Sequence, residues 1–369
     1  MSRQVKFKSI NYISIGQFGT FNHIYQTAKI LISRNYRFSF FGINEKLAER
    51  KLKGVEIFEV KSNNHLNQKR NAFKNRYKLF RLIWLKRDIL NKSSSINIVT
   101  YFTGCSFLLL FLKNIVLDIR TMSVSRNRFY RFLSDLVLNI EAFFFSDVSV
   151  LSEGMKLKFL FRNNITIIPL GGPKFDFMDK PSEKMSVLYV GTLSGRNILS
   201  TVMAFHKFMI QNPERRDNFD IIARGDTYQE GLIIEYINKH ALHDCIKFHG
   251  EVNFPDLTKY YLAANVGLSY IPITPYYDDQ PPTKTFEYLL AGMYVIATAT
   301  SENCRVINSE NGCLVGDDVE DVAKAFKSSS VMMPDIDNLK IYKDSQGYSW
   351  DTIVDDNLMP LLNKSMKKL

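Results

Sequence analysis

Short apolar runs rich in β-branched and aromatic residues alternate with amphipathic helical patterns along almost the whole chain, and a glycine closes many of the runs. That alternation leaves few folds open. Strands separated by helix-length segments pair in parallel, with helices covering both faces of the sheet. The first half opens with a β-rich run over residues 5–15 that ends in Gly16-Gln-Phe-Gly19, then a helical pattern over 21–33 and a second run over 36–42. Further buried strands are expected at 96–101, 115–119, 147–151 and 166–170. Residues 171–184 carry turn residues without periodicity and read as a linker. The second half repeats the scheme, with strands at 186–190, 219–223, 246–249 and 266–270 and helices at 199–210, 228–239 and 257–262. The expected class is α/β, with two doubly wound parallel sheets. Residues 1–170 and 185–345 form the domains, and a C-terminal helix over 346–369 packs back on the first. Ligands on such sheets sit outside the carboxyl ends of the strands, where Gly191, Gly225 and Gly250 fall.

The segment Gln280-Pro-Pro-Thr-Lys-Thr-Phe-Glu287 follows the strand at 266–270 and leads, through Gly292, into another β-rich run. Pro282 suits a first helical position, where its missing N–H leaves no bond unmade. The amides of Thr283, Lys284 and Thr285 then face outward at the positive end of the helix dipole, where a phosphate is favoured. Lys284 adds a full charge, and Glu287 at i+3 shares its helix face. A diphosphate and a sugar hydroxyl fit side by side there. The competing account is a surface helix in which Lys284 and Glu287 form an ordinary ion pair worth a few tenths of a kcal/mol.

Net charge separates the halves. The chain carries +11 overall, but residues 1–172 hold 28 Lys and Arg against 10 Asp and Glu, while the remainder holds 20 against 27. The basic half favours an anionic partner, nucleic acid or acidic lipid. Between Lys69 and Arg87 stand eight Lys and Arg residues, with Phe73, Tyr77, Phe80 and Trp84 at helical spacing. Such a basic amphipathic helix fits an anionic bilayer, against the plainer account of a helix that buries its stripe and solvates its charges. No recognised nucleic-acid module accompanies the charge. Cys105, Cys245, Cys304 and Cys313 are widely spaced, which suggests a reducing compartment and no structural zinc. The N-terminus shows no apolar signal region, and the longest apolar run, 107–112, is far below the ~20 residues of a spanning helix. The expected location is cytoplasmic, at the inner face of the membrane.

Tyr189-Val-Gly-Thr-Leu-Ser-Gly-Arg-Asn197, Phe248-His-Gly-Glu-Val252, Tyr260-Tyr-Leu-Ala-Ala-Asn-Val-Gly-Leu-Ser269, Pro282-Thr-Lys-Thr-Phe-Glu-Tyr-Leu-Leu-Ala-Gly292 and Asn311-Gly-Cys-Leu-Val315 stand in an order that resembles family 4 retaining glycosyltransferases of the GT-B fold. The resemblance is strong over about 186–330 and architectural elsewhere. It implies that the second domain binds a nucleotide-sugar, UDP- or GDP-linked, and the first an acceptor, with transfer in the cleft between them. By position, Glu287 resembles the ribose-binding carboxylate and Asp279 the sugar-binding one, where the family usually has glutamate. Arg196 resembles the residue that neutralises the diphosphate, and Asn197 replaces a frequent second cation. Glu251 and Val252 fall where the backbone meets the base. Where the family often has a glycine loop, this chain has Pro281-Pro282, which lack N–H donors, so Lys284 and the amides after it carry more of the phosphate.

The chemistry so implied is transfer through an oxocarbenium-like state, with the departing diphosphate stabilised electrostatically by Arg196, Lys284 and a helix start. No metal is called for: Asp317-Asp318 lies in a late loop. On the acceptor side, Gly16, Gly19 and His23 stand at the first turn, and Asp118 and Arg120 follow a buried strand. Each has a plainer reading as a turn, a helix residue or a loop-capping pair. The family's mid-domain histidine has no counterpart here. Asp279, Arg196, Lys284 and Asp118 are the expected catalytic residues. The expected activity is sugar transfer to a glycan or lipid-linked acceptor in cell-surface polysaccharide synthesis. Another GT-B enzyme, such as a nucleotide-sugar epimerase, and a non-catalytic nucleotide-sugar or membrane-binding protein are the alternatives.

Overall fold

The computed structural model describes residues 9–47, 50–62, 68–161, 164–180, 183–252 and 254–367. The chain divides into two compact units, Met1–Pro169 with Trp350–Leu369, and Leu170–Ser349.

Unit 1 contains β1 (Ser9–Ile13), α1 (Asn22–Ser33), β2 (Arg37–Asn44), β3 (Val55–Lys61), α2 (Gln68–Leu85), α3 (Arg87–Leu90), β4 (Ser95–Thr100), β5 (Ile115–Ile119), α4 (Arg128–Phe143), β6 (Val148–Val150), α5 (Glu153–Leu157) and β7 (Ile165–Ile167). Its seven strands run parallel in the order β3-β2-β1-β4-β5-β6-β7, so the winding reverses between β1 and β4. Register at that reversal is pinned by a polar pair: Asn11 lies opposite Asn97 and donates to its Oδ1 at 2.9 Å. A slip by one residue would break this pairing and leave the buried Asn11 amide without its partner.

Two elements of this unit escape the sequence reading. β3 alternates apolar residues with Glu56 and Glu59 and is half-exposed at the sheet edge, so it lacks the apolar run of its neighbours. α4 falls in residues 121–146, to which no element is assigned; its apolar residues lie mostly on the exposed side while Asn139 and Glu141 are buried, the reverse of a core-facing helix. Asn127 caps its start by accepting from the Tyr130 N–H.

The C-terminal residues end in unit 1 as two helical segments, Trp350–Ile353 and Met359–Lys367, joined by a π-turn. They are held by an ion pair between Arg34 of α1 and Asp355, and by Asn357 donating to the Ile167 carbonyl at 3.3 Å. The expected boundary at 346 shifts, since 346–349 belong to unit 2.

Unit 2 contains β8 (Ser186–Thr192), α6 (Ile198–Gln211), β9 (Asn218–Arg224), α7 (Thr227–Lys239), β10 (Ile246–Gly250), α8 (Phe254–Ala263), β11 (Val266–Ser269), α9 (Thr283–Leu290), β12 (Tyr294–Thr298), α10 (Asn303–Val306), β13 (Gly312–Val315), α11 (Val319–Met332) and α12 (Asn338–Asp344). Six parallel strands follow the order β10-β9-β8-β11-β12-β13, with the reversal between β8 and β11. β12 is buried throughout, and its apolar run reads as a strand covered on both faces. The segment expected as a linker lies against this unit: Gly172 donates to the Tyr348 carbonyl at 3.1 Å, and the Phe175 ring packs on Tyr261 at 5.1 Å between centroids.

Candidate functional site

In unit 2 the carboxyl end of β8 and the start of α9 meet at the sheet reversal, the place where doubly wound sheets hold ligands. Thr285, buried in the first turn of α9, fixes that geometry. Its hydroxyl shares a hydrogen bond of 2.6 Å with Ser269 at the end of β11 and donates to Asn303 Oδ1 at 3.0 Å, while Asn303 donates to the Thr298 carbonyl at 2.8 Å. The helix start is thereby tied to two strand ends.

Two details differ from the expectation. Pro282 is the N-cap, in extended conformation, and Thr283 begins the helix. The Thr285 N–H turns back to the Pro282 carbonyl at 3.2 Å, so it does not face outward. Thr283 and Lys284 stand at the first two helical positions.

Lys284 sends its ammonium under β8. Nζ lies 4.1 Å from the Tyr189 ring centroid and donates to the Tyr270 carbonyl at 3.4 Å. A Cβ at Gly191 would stand 3.2 Å from that Nζ and 3.0 Å from the Tyr189 hydroxyl, so the glycine admits the close approach. Burial, followed by the charge of Arg196, pushes the Lys284 amine well below its ordinary value, against the pull of Glu287. Arg196 follows β8, stacks its guanidinium over Tyr277 at 4.2 Å and keeps Nη1 buried without a hydrogen-bond partner. Neither cation forms an ion pair among the described residues. Two partly buried cations without a carboxylate raise the local potential and favour an anion.

Glu287 does not pair with Lys284. Tyr261 of α8 donates to its Oε2 at 2.7 Å. Burial pushes the carboxyl up to about 7, while Tyr261 and Lys284 pull the other way. At neutral pH the group therefore divides between acceptor-only and donor forms, and both can bond a hydroxyl. Beside it, the Tyr288 hydroxyl accepts from the Val190 N–H at 2.8 Å. The structure thus joins Gly191, Arg196, Thr283, Lys284 and Glu287 on neighbouring elements, and adds Tyr189, Tyr261 and Tyr277. Tyr189 and Tyr261 stood inside quoted motifs, and a tyrosine that interrupts an apolar helix face or strand is the signal that points to them.

The other expected donor residues lie around this centre. Asp279 is half-buried in the turn before α9, and the neighbouring Asp278 anchors that turn by accepting from the Ser301 N–H and hydroxyl at 2.9 and 2.5 Å. Gly225 follows β9, whose last residue Arg224 accepts from the Leu193 N–H at 2.9 Å. The Glu251 carboxylate pairs with Arg224 at 2.5 Å in an exposed position, and Val252 follows it. Among the described residues no three His, Cys, Asp or Glu side chains gather as a metal site.

In unit 1 the ends of β1 and β5 hold a second polar cluster. Asp118 is 1% exposed. Its Oδ2 accepts from Tyr12 at 2.7 Å and Arg120 at 2.8 Å, and its Oδ1 from Ser149 at 2.7 Å. Burial alone would raise this carboxyl, but Arg120 and His23 hold it below the ordinary range. Asp118 is therefore a positioning residue that aims Arg120 and Tyr12, which corrects the expectation that it faces a ligand. Arg120 also reaches the Ile168 carbonyl at 3.5 Å. His23 packs edge-on to Tyr12, and its Nε2 is buried without a partner. Burial and the charge of Arg120 push its imidazole down to about 3, so it is neutral at physiological pH. Gly16 and Gly19 shape the turn between β1 and α1. Gly19 has φ +86, and a Cβ there would lie 2.8 Å from the Arg50 Cβ, a position that glycine alone fills without strain.

Residues 184–329 match the family described as glycosyl transferases group 1. No curated protein sequence matches the chain. Among solved structures, the sucrose-phosphate synthase of Thermosynechococcus elongatus is similar at 17% identity and a TM-score of 0.75, over 98% of this chain and 99% of that one. WaaG, a glycosyltransferase involved in lipopolysaccharide biosynthesis, is similar at 13% identity and a TM-score of 0.67, over 97% and 99%. Anabaena HepE in complex with UDP and glucose is similar at 12% identity and a TM-score of 0.69, over 98% and 100%. At these identities the likeness shows the fold.

Proposed function

We propose that this chain, which has the GT-B fold and whose residues 184–329 match the glycosyl transferases group 1 family, moves a sugar from a nucleoside diphosphate donor to a glycan or lipid-linked acceptor, with retention and without a metal. The observation that carries this reading is the pair of unneutralised cations, Arg196 and Lys284, at the β8 and α9 ends beside Glu287.

As the sugar–phosphate bond breaks, negative charge grows on the diphosphate. Cations already in place stabilise that charge without reorganisation. Burial and the charge of Arg196 disfavour the Lys284 ammonium, and an arriving diphosphate favours it. Glu287 bonds a ribose hydroxyl, and Asp279 in the preceding turn is assigned to the sugar. The similar structure solved with UDP and glucose supports a nucleotide-sugar donor. In unit 1, Arg120 and the neutral His23 are assigned to the acceptor. Cell-surface polysaccharide synthesis draws support from the likeness to a lipopolysaccharide enzyme. Peripheral contact with an anionic membrane, at its inner face, is assigned to the stretch from Lys69 to Arg87, whose Phe73, Tyr77 and Trp84 are exposed while Leu79 and Ile83 are buried.

Thermal shift against UDP-, GDP-, ADP- and CMP-sugars tests the donor, since a ligand that binds the folded state raises its melting temperature. One of these should raise it in the native chain and not in Lys284→Ala or Glu287→Ala. Equal shifts in all three proteins would overturn the reading. Turnover should survive a chelator; its loss would remove the metal-free part alone.

A further inference from the structure

Helix α4 presents an apolar face to the outside. Phe129, Phe132, Ile140 and Phe143 are 54 to 71% exposed, with Leu133, Leu136 and Val137 between them. Leu160, beyond α5, is 88% exposed, and the Phe161 ring packs on Phe143 at 5.5 Å. An apolar stripe running the full 16 residues of a helix marks an interaction surface.

The charges around it say what it meets. Both carboxylates of α4 turn inward: Asp135 accepts from the Ser123 N–H at 3.0 Å, and Glu141 accepts from the Gly104 N–H at 2.6 Å and the Ser106 hydroxyl at 3.1 Å. The outer side is left without an acid, while Arg126 and Arg128 stand exposed at the helix start and Lys158 at the neighbouring loop. A second copy of this chain would bring like charges together, in a half that carries 28 basic against 10 acidic residues. An anionic bilayer matches both the apolar face and the basic rim. The exposure continues beyond α4. Phe107 and Leu110, in the 3-10 turn to which Glu141 is bonded, are exposed, and the adjoining Phe111 meets Trp84 of α2 at 5.3 Å between centroids.

We propose that the outer face of α4 docks into the headgroup and acyl boundary of an anionic lipid bilayer. This extends the membrane contact assigned above from a basic helix that adsorbs to an apolar one that inserts. It also rests on different residues. An acceptor carried by a lipid would then be met at the surface where it resides.

Flotation of the full chain with phosphatidylcholine vesicles, with and without phosphatidylglycerol and with no donor present, tests this directly. The native chain should float with the anionic vesicles. Phe129→Ser/Phe132→Ser/Phe143→Ser should lower partitioning by on the order of 100-fold, because apolar burial drives insertion. Arg126→Gln/Arg128→Gln should lower it about tenfold on anionic vesicles and leave neutral ones unchanged. All these side chains are exposed, so both variants should melt as the native chain does. The proposal is overturned if the native chain stays in the buffer, if the triple variant floats equally well, or if sedimentation shows a native dimer that the triple variant dissociates. Donor-induced melting shifts, measured on the same proteins, keep the two readings separate: their loss with intact flotation sinks the sugar-transfer reading only.

Discussion

The two units end their strands in opposite electrostatic conditions. In unit 1, Arg120 stands against Asp118, whose oxygens are all engaged, and the histidine beside them is held neutral. In unit 2, Arg196 and Lys284 have no ion-pair partner among the described residues, and the Glu287 carboxyl beside them is pushed toward its neutral form. Parallel sheets with the same kind of reversal thus carry one site whose charge is cancelled internally and one whose charge is left for a ligand. The difference teaches that a basic residue at a strand end is read through its partners. The count of charges misleads here, since the basic half of the chain holds the neutralised site.

The contrast can be broken from either side. Arg120→Ala should cost the most, about 3–5 kcal/mol in stability by denaturant unfolding, because it strands the buried Asp118 charge. Asp118→Asn in the same background should recover part of that loss. Lys284→Ala should lower kcat about 10²–10³-fold with a smaller change in unfolding, since the fold engages its ammonium through the long bond to the Tyr270 carbonyl and the Tyr189 ring and through no ion pair among the described residues. If Lys284→Ala unfolds the protein and Arg120→Ala only slows it, the roles assigned to the two sites are reversed.

Proton linkage gives a smaller and oppositely signed effect in each unit. Glu287 is raised from 4.5 to about 7, so its contribution to stability is present below pH 4.5 and is lost as pH rises through about 7. His23 is lowered from 6.5 to about 3, so its contribution is present above pH 6.5 and is lost as pH falls toward 3. In melting curves across that range, Glu287→Gln should flatten the alkaline side and His23→Gln the acid side. An unchanged profile in either variant would detach that group from the linkage. The smallest expected effect is Tyr261→Phe, about 1 kcal/mol or less. It should also move the pH dependence of donor binding upward, because one bond to the ionised Glu287 is gone.

The legible part of the molecule was the part written locally. Lys284 and Glu287 share one helix turn, and Arg196 follows the strand glycine by five residues, so spacing alone brought them to one end of the sheet. The pairings that give these groups their character span the chain. Tyr261 reaches Glu287 from another helix, Tyr288 reaches back to Val190, and Asp118 is closed by Tyr12 and Ser149 from β1 and β6. No local period reports such contacts, and that is why Asp118 was expected at a ligand and found buried with its oxygens engaged by Tyr12, Arg120 and Ser149. β3 and α4 escaped for a related reason: β3 lacks the apolar run of a buried strand, and α4 turns its apolar stripe outward and its carboxylates inward, the reverse of a helix that packs on a core.

The assignment of residues from Trp350 onward to unit 1 sets an order of assembly. During synthesis, residues up to Pro169 emerge before unit 2, yet Trp350, Leu361 and Leu362, which are buried with them, are made after it. Unit 2 is continuous from Leu170 to Ser349 and can close as soon as it has left the ribosome. Unit 1 begins before unit 2 and is finished after it, and a chain stopped short at residue 349 would carry a complete unit 2 and a unit 1 still open along α1.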